Sequence, residues 1–127
     1  MAEPRLSFLR GRELVNVAGE SHYQDALRRI TGEGEVRHQT EAHLVPEPGN
    51  PHDANAVRVE IDGHKVGYLP RTLAGAYAGG LAAIVARGRL SACEAAIVGG
   101  AETALGVFLR LPEPGDRQLT EDPARRF

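Results

Sequence analysis

Polar and hydrophobic residues alternate over two neighbouring stretches, 56–61 (AVRVEI) and 64–69 (HKVGYL), separated by Asp62-Gly63. Alternation with period two marks a half-buried strand, and Asp-Gly is a two-residue hairpin turn. Pairing Ile61 with His64 puts Glu60 opposite Lys65, Val59 opposite Val66 and Val57 opposite Tyr68. Unlike charges then meet on one face and apolar side chains on the other, so the pattern predicts a hairpin in this register.

Four further strands follow from the same reading. Residues 13–18 (ELVNVA) alternate with Leu14 and Val17 inward, and Gly19 ends them. Residues 36–45 (VRHQTEAHLV) form a long polar strand whose apolar end, Ala42, Leu44 and Val45, feeds the core. Pro46 and Pro48 then take the backbone out of the ladder. Residues 89–98 and 104–111 are the last two strands, joined by a Gly-Gly-Ala-Glu turn.

Two stretches carry helical spacing instead. Tyr23, Ala26, Leu27 and Ile30 predict a helix over 23–31, with Gly32 as its stop. Ser21 and Gln24 have the S-x-x-Q form of a capping box, in which the Gln reaches back to the Ser amide. Leu73, Tyr77, Leu81, Ile84 and Val85 form the buried stripe of a second helix over 73–87, with Thr72 as its cap. Gly79-Gly80 in its middle costs roughly 1 kcal/mol per Gly and either bends it or brings it close to the sheet.

The order is β, α, β, β, β, α, β, β. Short connections in a chain of 127 residues predict one domain, a closed or nearly closed antiparallel barrel with two helices over its openings. The ordered part is expected over 13–111, between a loose arm at 1–12 and a charged, Pro-containing flexible tail at 112–127.

Composition narrows the function classes. A net charge of −2 and a pI of about 6.2 argue against a surface coated in cations to grip duplex nucleic acid, and leave room for a local basic patch. The single cysteine, Cys93, sits among small and apolar residues and reads as a core residue in a reducing compartment. Neither a signal peptide nor a membrane-length apolar run is visible, so the expected location is cytoplasmic. The five histidines lack metal-ligand spacing, and the chain has no nucleophile signature or phosphate-cradling Gly-rich motif. No cofactor and no enzymatic activity are expected.

Candidate chemistry concentrates in residues 48–55 (PGNPHDAN), a polar loop set directly on the hairpin. An ordered loop on a rigid scaffold is the usual place for a binding site.

The stretch VAGESHY, the first helix, VPEPGNPHDANAVRVEIDGHKVGYLPR and the alanine-rich second helix together resemble the HIRAN domain, as a stand-alone, bacterial-type copy. The most specific part is N-P-x-D-x-N-A-V followed by D-G-x-x-V-G-Y-L, here Asn50 to Val57 and Asp62 to Leu69. The resemblance covers roughly residues 14–111. It implies a mainly β, OB-like antiparallel barrel of about six strands with two α-helices. It also implies non-enzymatic binding of single-stranded DNA, at its 3′ end, in DNA repair or replication-fork processing, with a protein partner such as a helicase or nuclease.

Carried over by position, Asp53 falls on the acid that contacts the terminal hydroxyl, and His52 fills the aromatic slot before it. Ser21 stands where DNA-binding members have a basic residue and His22 where they have an aromatic one, while Tyr23 matches an aromatic position. The Phe expected in the late barrel loop has no counterpart around Val98-Gly99-Gly100. The expected interface is therefore Asp53 on the sugar hydroxyl, His52, His22 and Tyr23 on bases, and Arg71 or the amides around Ser21 on phosphate, with Asn50 shaping the loop. Asp53 and Asn50 equally suit Asx turns that merely hold the loop, and Ser21 and Gln24 could themselves satisfy those amides. Lys65 is expected to pair with Glu60. The alternative reading is a protein-interaction module, with DNA binding lost, that takes a partner in the same groove or by strand addition at a barrel edge.

Overall fold

The computed structural model describes residues 5–121. Its strands are β1 (Arg5–Leu9), β2 (Glu13–Asn16), β3 (Val36–Pro46), β4 (Val57–Ile61), β5 (His64–Tyr68), β6 (Arg89–Gly99) and β7 (Gly106–Leu111). A 3-10 turn (Glu20–Tyr23) leads into α1 (Gln24–Thr31); α2 (Arg71–Ala86) lies between β5 and β6, and a short α3 (Arg117–Thr120) follows β7. The fold is mainly β, with the strands that the alternation predicts in the OB-like arrangement that the resemblance implies, and with β1 and α3 added.

The sheet runs β2-β7-β6-β3-β4-β5. Its spine is β3 against β6, antiparallel from Val36↔Gly99 to Leu44↔Ser91. The sheet curls until its two ends meet at Ala18 and Tyr68, which exchange backbone hydrogen bonds of 2.8 and 2.9 Å. Gly67 makes that seam possible. A Cβ there would stand 2.5 Å from both the Ala18 carbonyl oxygen and Val17 Cγ1, and its φ of 147° is one that L side chains rarely adopt.

The hairpin keeps the predicted pairs Ile61↔His64 and Glu60↔Lys65, then shifts by one at a bulge. Val59 pairs with Gly67 and Arg58 with Tyr68, in place of the expected Val59–Val66 and Val57–Tyr68. The extra residue bends the strand and brings Gly67 to the seam. Val15 in β2 and Val17 just after it point inward, whereas Leu14 is 55% exposed, which reverses the expectation for Leu14. Either alternation fits ELVNVA locally; the pairing with β7 selects the valines.

The expected loose arm is corrected over its described part. β1 pairs parallel to β6 along Arg89–Cys93, while β7 takes the same edge of β6 along Glu94–Val98. Without β1 half of that edge would be left unpaired, and Leu9, 1% exposed, would lose its place in the core. The tail is corrected as well. The side chain of Gln118 in α3 both accepts from and donates to the Arg10 backbone, and Leu119 is buried against α2. Gly80 admits that contact, since a Cβ there would lie 2.7 Å from the Leu119 carbonyl oxygen. Residues 1–4 and 122–127, the remainder of the expected arm and tail, lie outside the described residues.

The core is aliphatic. Leu27 from α1, Tyr77, Leu81 and Ile84 from α2, and Leu44, Val57, Val59, Ile97 and Leu109 from the sheet are all buried. Full burial of such an aliphatic side chain is worth roughly 1.5–3 kcal/mol. Ala74 joins the α2 stripe, while Val85 is 45% exposed. Cys93 is buried as expected, and its thiol is pushed up to about 12 by desolvation, then by the charges of Glu94 and Glu41.

The predicted helix caps do not form. Pro70, not Thr72, precedes α2, and no side chain caps α1 or the 3-10 turn. Gln24 turns instead to the neighbouring strand. Its amide nitrogen donates to the Leu105 and Glu20 carbonyls, and its oxygen accepts from the Leu105 amide. Arg28 clamps the far end, reaching the carbonyls of Gly32, Gly34 and Gly100.

Candidate functional site

The loop between β3 and β4 is held by its own side chains. A backbone bond from Glu47 to Ala56 closes its neck at 2.9 Å. Asn50 Oδ1 accepts from the amides of His52 (2.8 Å) and Asp53 (3.3 Å). Asp53 Oδ1 accepts from the Asn55 amide at 2.9 Å. These are successive Asx turns, in which a short polar side chain stands in for a backbone acceptor.

Glu47 anchors this loop to the hairpin, a role the sequence did not disclose. Its Oε1 accepts from Asn50 Nδ2 (3.1 Å) and from the Tyr68 hydroxyl (3.0 Å), and its Oε2 takes the Arg58 guanidinium at 2.8 Å. Burial alone would raise its carboxyl, but hydrogen bonds from Asn50, Tyr68 and Arg58 outweigh it and hold the group below the usual carboxylate range. Arg58 in turn binds Glu60 at 2.7 Å. The expected Lys65–Glu60 ion pair does not form, although the two residues are cross-strand partners.

A groove of about 330 Å³ opens between this loop and the barrel seam, lined by Ala18, Gly19, Asn50, His52, Asp53, Ala56, Tyr68, Leu69 and Arg71. Four of the predicted site residues therefore converge: Asn50, His52, Asp53 and Arg71. Asp53 is half-buried and presents Oδ2 to Arg71 Nε at 3.7 Å. Arg71, 73% exposed, also donates to the His52 carbonyl at 2.9 Å. The two readings of Asp53 are thus compatible in one side chain: Oδ1 holds the turn, and Oδ2 faces the groove.

The other predicted residues sit beside the groove. Gly19 adopts a left-handed conformation (φ 78°) and turns the chain into Glu20–Tyr23. Ser21 and His22 are exposed on that turn and do not line the groove. The His22 amide is already bonded to the Gly19 carbonyl. Tyr23 faces Lys65, whose ammonium lies 5.4 Å from the Tyr23 ring centroid and 4.5 Å from that of Tyr68. Interaction with Tyr68, then with Tyr23, raises the lysine above its ordinary range despite partial burial.

Tyr68 is the lining residue that the sequence reading placed wrongly. The bulge sets it opposite Arg58 and lets its hydroxyl reach Glu47. A second concavity, about 300 Å³, lies on the outer face around Leu14, Phe108, Val98, Arg37 and Arg110, away from the loop. Among the described residues no group of three or more His, Cys, Asp and Glu could hold a metal ion, and no helix is long and apolar enough to cross a membrane.

The family model of the HIRAN domain matches residues 14–111. Among solved structures, the crystal structure of the HIRAN domain of human HLTF is similar, with 26% identity over 88% of each chain and a TM-score of 0.45. No curated protein matches. The chain belongs to the HIRAN domain family, a membership that supports nucleic-acid binding in general.

Proposed function

We propose that this protein is a non-enzymatic module that takes the 3′ end of single-stranded DNA in the groove between the 50s loop and the barrel seam. The observation that carries the reading is the convergence of Asn50, His52, Asp53, Tyr68 and Arg71 on one groove. Asp53 Oδ2 would accept the terminal hydroxyl. His52 would lie against the last base, with His22 and Tyr23 on the neighbouring turn for the next, each stacked base being worth about 1–3 kcal/mol. Arg71 would meet a phosphate while it positions Asp53. Ser21 would contribute a hydroxyl beside the strand. The setting would be cytoplasmic DNA repair or replication-fork processing, in company with a helicase or nuclease.

Fluorescence anisotropy with single strands ending in a 3′-hydroxyl or a 3′-phosphate tests the reading. The hydroxyl end should bind at least tenfold tighter, since the phosphate sets a second anion against Asp53, and Asp53→Asn should narrow the difference. Equal binding of both ends would contradict end capture.

One observation favours the second reading, a protein-interaction module. The groove's one acid and one cation, Asp53 and Arg71, answer each other, and beside it Arg58 answers Glu47 and Glu60, as suits a neutral partner. Co-purification of a defined partner that survives nuclease and high salt would support that reading.

A further inference from the structure

Arg71 faces Asp53, and Arg58 is shared by Glu47 and Glu60, so both cations are matched by carboxylates. Lys65 differs. Among the described residues it has no acidic group within ion-pair distance, and two tyrosine rings hold it. One of those rings, Tyr68, lines the groove; the other, Tyr23, belongs to the turn that leads away from Gly19. The order groove, Tyr68, Lys65, Tyr23 therefore runs outward from the site.

We propose that Lys65, held between Tyr23 and Tyr68, is the phosphate contact for the strand where it leaves the groove. This rests on the nucleic-acid reading of the groove and names the residue that supplies its uncompensated positive charge. A π face attracts an ammonium but does not neutralise it, so the charge remains for an anion. An ammonium carries three donors on a compact point charge, which suits phosphate oxygens approached from varied directions. Packing between two rings also restricts a side chain that would otherwise lose up to about 2 kcal/mol of rotamer freedom when ordered. Arg71, tied to the His52 carbonyl and Asp53, serves the strand inside the groove and leaves the phosphate beyond it to Lys65.

The test is the salt dependence of binding by the full chain. The probe is a 5′-fluorescein single-stranded DNA of roughly ten nucleotides, within the span of about 4–16 that such folds cover. Lys65→Met keeps the alkyl stem between the rings and removes the charge. It should lower the slope of log affinity against log salt by about 0.7 and weaken binding about fivefold at roughly 0.1 M salt. Lys65→Arg should restore the slope. Loss of folded protein would scale all points alike and leave the slope unchanged, so a structural role alone does not mimic the result. A wild-type slope in Lys65→Met overturns the proposal while leaving the groove reading intact. If the wild-type protein binds no single strand, the groove reading fails and this assignment with it.

Discussion

The loop that lines the groove and the turn that follows Gly19 are built in opposite ways. In the loop at 47–56, Glu47 and Asn50, and Asp53 through Oδ1, spend polar atoms on bonds that fix the backbone or tie it to the hairpin. Beyond Gly19, outside the groove lining, Ser21 and His22 stand exposed on a turn that no side chain caps. A wall braced by its own side chains keeps its acceptors at set positions, as recognition of a terminal group requires. A turn with exposed polar tips can follow the course of a strand without a fixed sequence. Under the proposed function the loop would supply specificity and the turn adaptability, with the Ala18–Tyr68 seam holding the two in register.

Breaking the seam should have the largest effect. Gly67→Ala drives a Cβ into the Ala18 carbonyl and Val17, at a φ that side chains avoid. A loss of about 3 kcal/mol is expected, read by urea denaturation, with ligand binding lost alongside stability. Glu47→Gln comes next. It weakens three charge-assisted bonds and should cost about 1.5–3 kcal/mol at neutral pH.

Acid should make the same point without mutation. The folded-state pKa of Glu47 lies below its unfolded value, so its contribution is fully present above the unfolded pKa and lost as pH falls through the folded one. Denaturation midpoints of the wild type and Glu47→Gln should therefore converge as the pH drops below the usual carboxylate range. Parallel midpoints throughout would show that the carboxylate charge is not what holds the loop. The smallest effect belongs to the exposed turn. Ser21→Ala should change stability by less than about 0.5 kcal/mol, whereas a true N-cap would cost about 1.

How much of this was legible follows from which contacts are local. The Asp62-Gly63 turn and its first two cross-strand pairs could be read because turn chemistry and both faces agree within a few residues. The bulge could not. Val59 against Val66 is a sound apolar pair, and only the approach of Gly67 to Ala18, far off in sequence, demands the shift. β1 was hidden for the same reason, since its parallel partner, the first half of β6, lies near the other end of the chain. In the site, the Asx turns of Asn50 and Asp53 were foreseeable from residue type and spacing. Glu47 was not, because its partners Tyr68 and Arg58 meet it across strands. Gln24 shows the opposite error. A motif suited to local capping was drawn instead to the edge of β7 at Leu105.

The most direct test is an NMR titration of the isotopically labelled protein with a short single strand bearing a free 3′-hydroxyl. Amide shifts should concentrate at Ala18, Gly19, Asn50, His52 to Asn55 and Tyr68, with the larger, saturating changes in the loop. Shifts confined to the outer face around Leu14, Val98 and Phe108, or no shifts at all, would contradict the account.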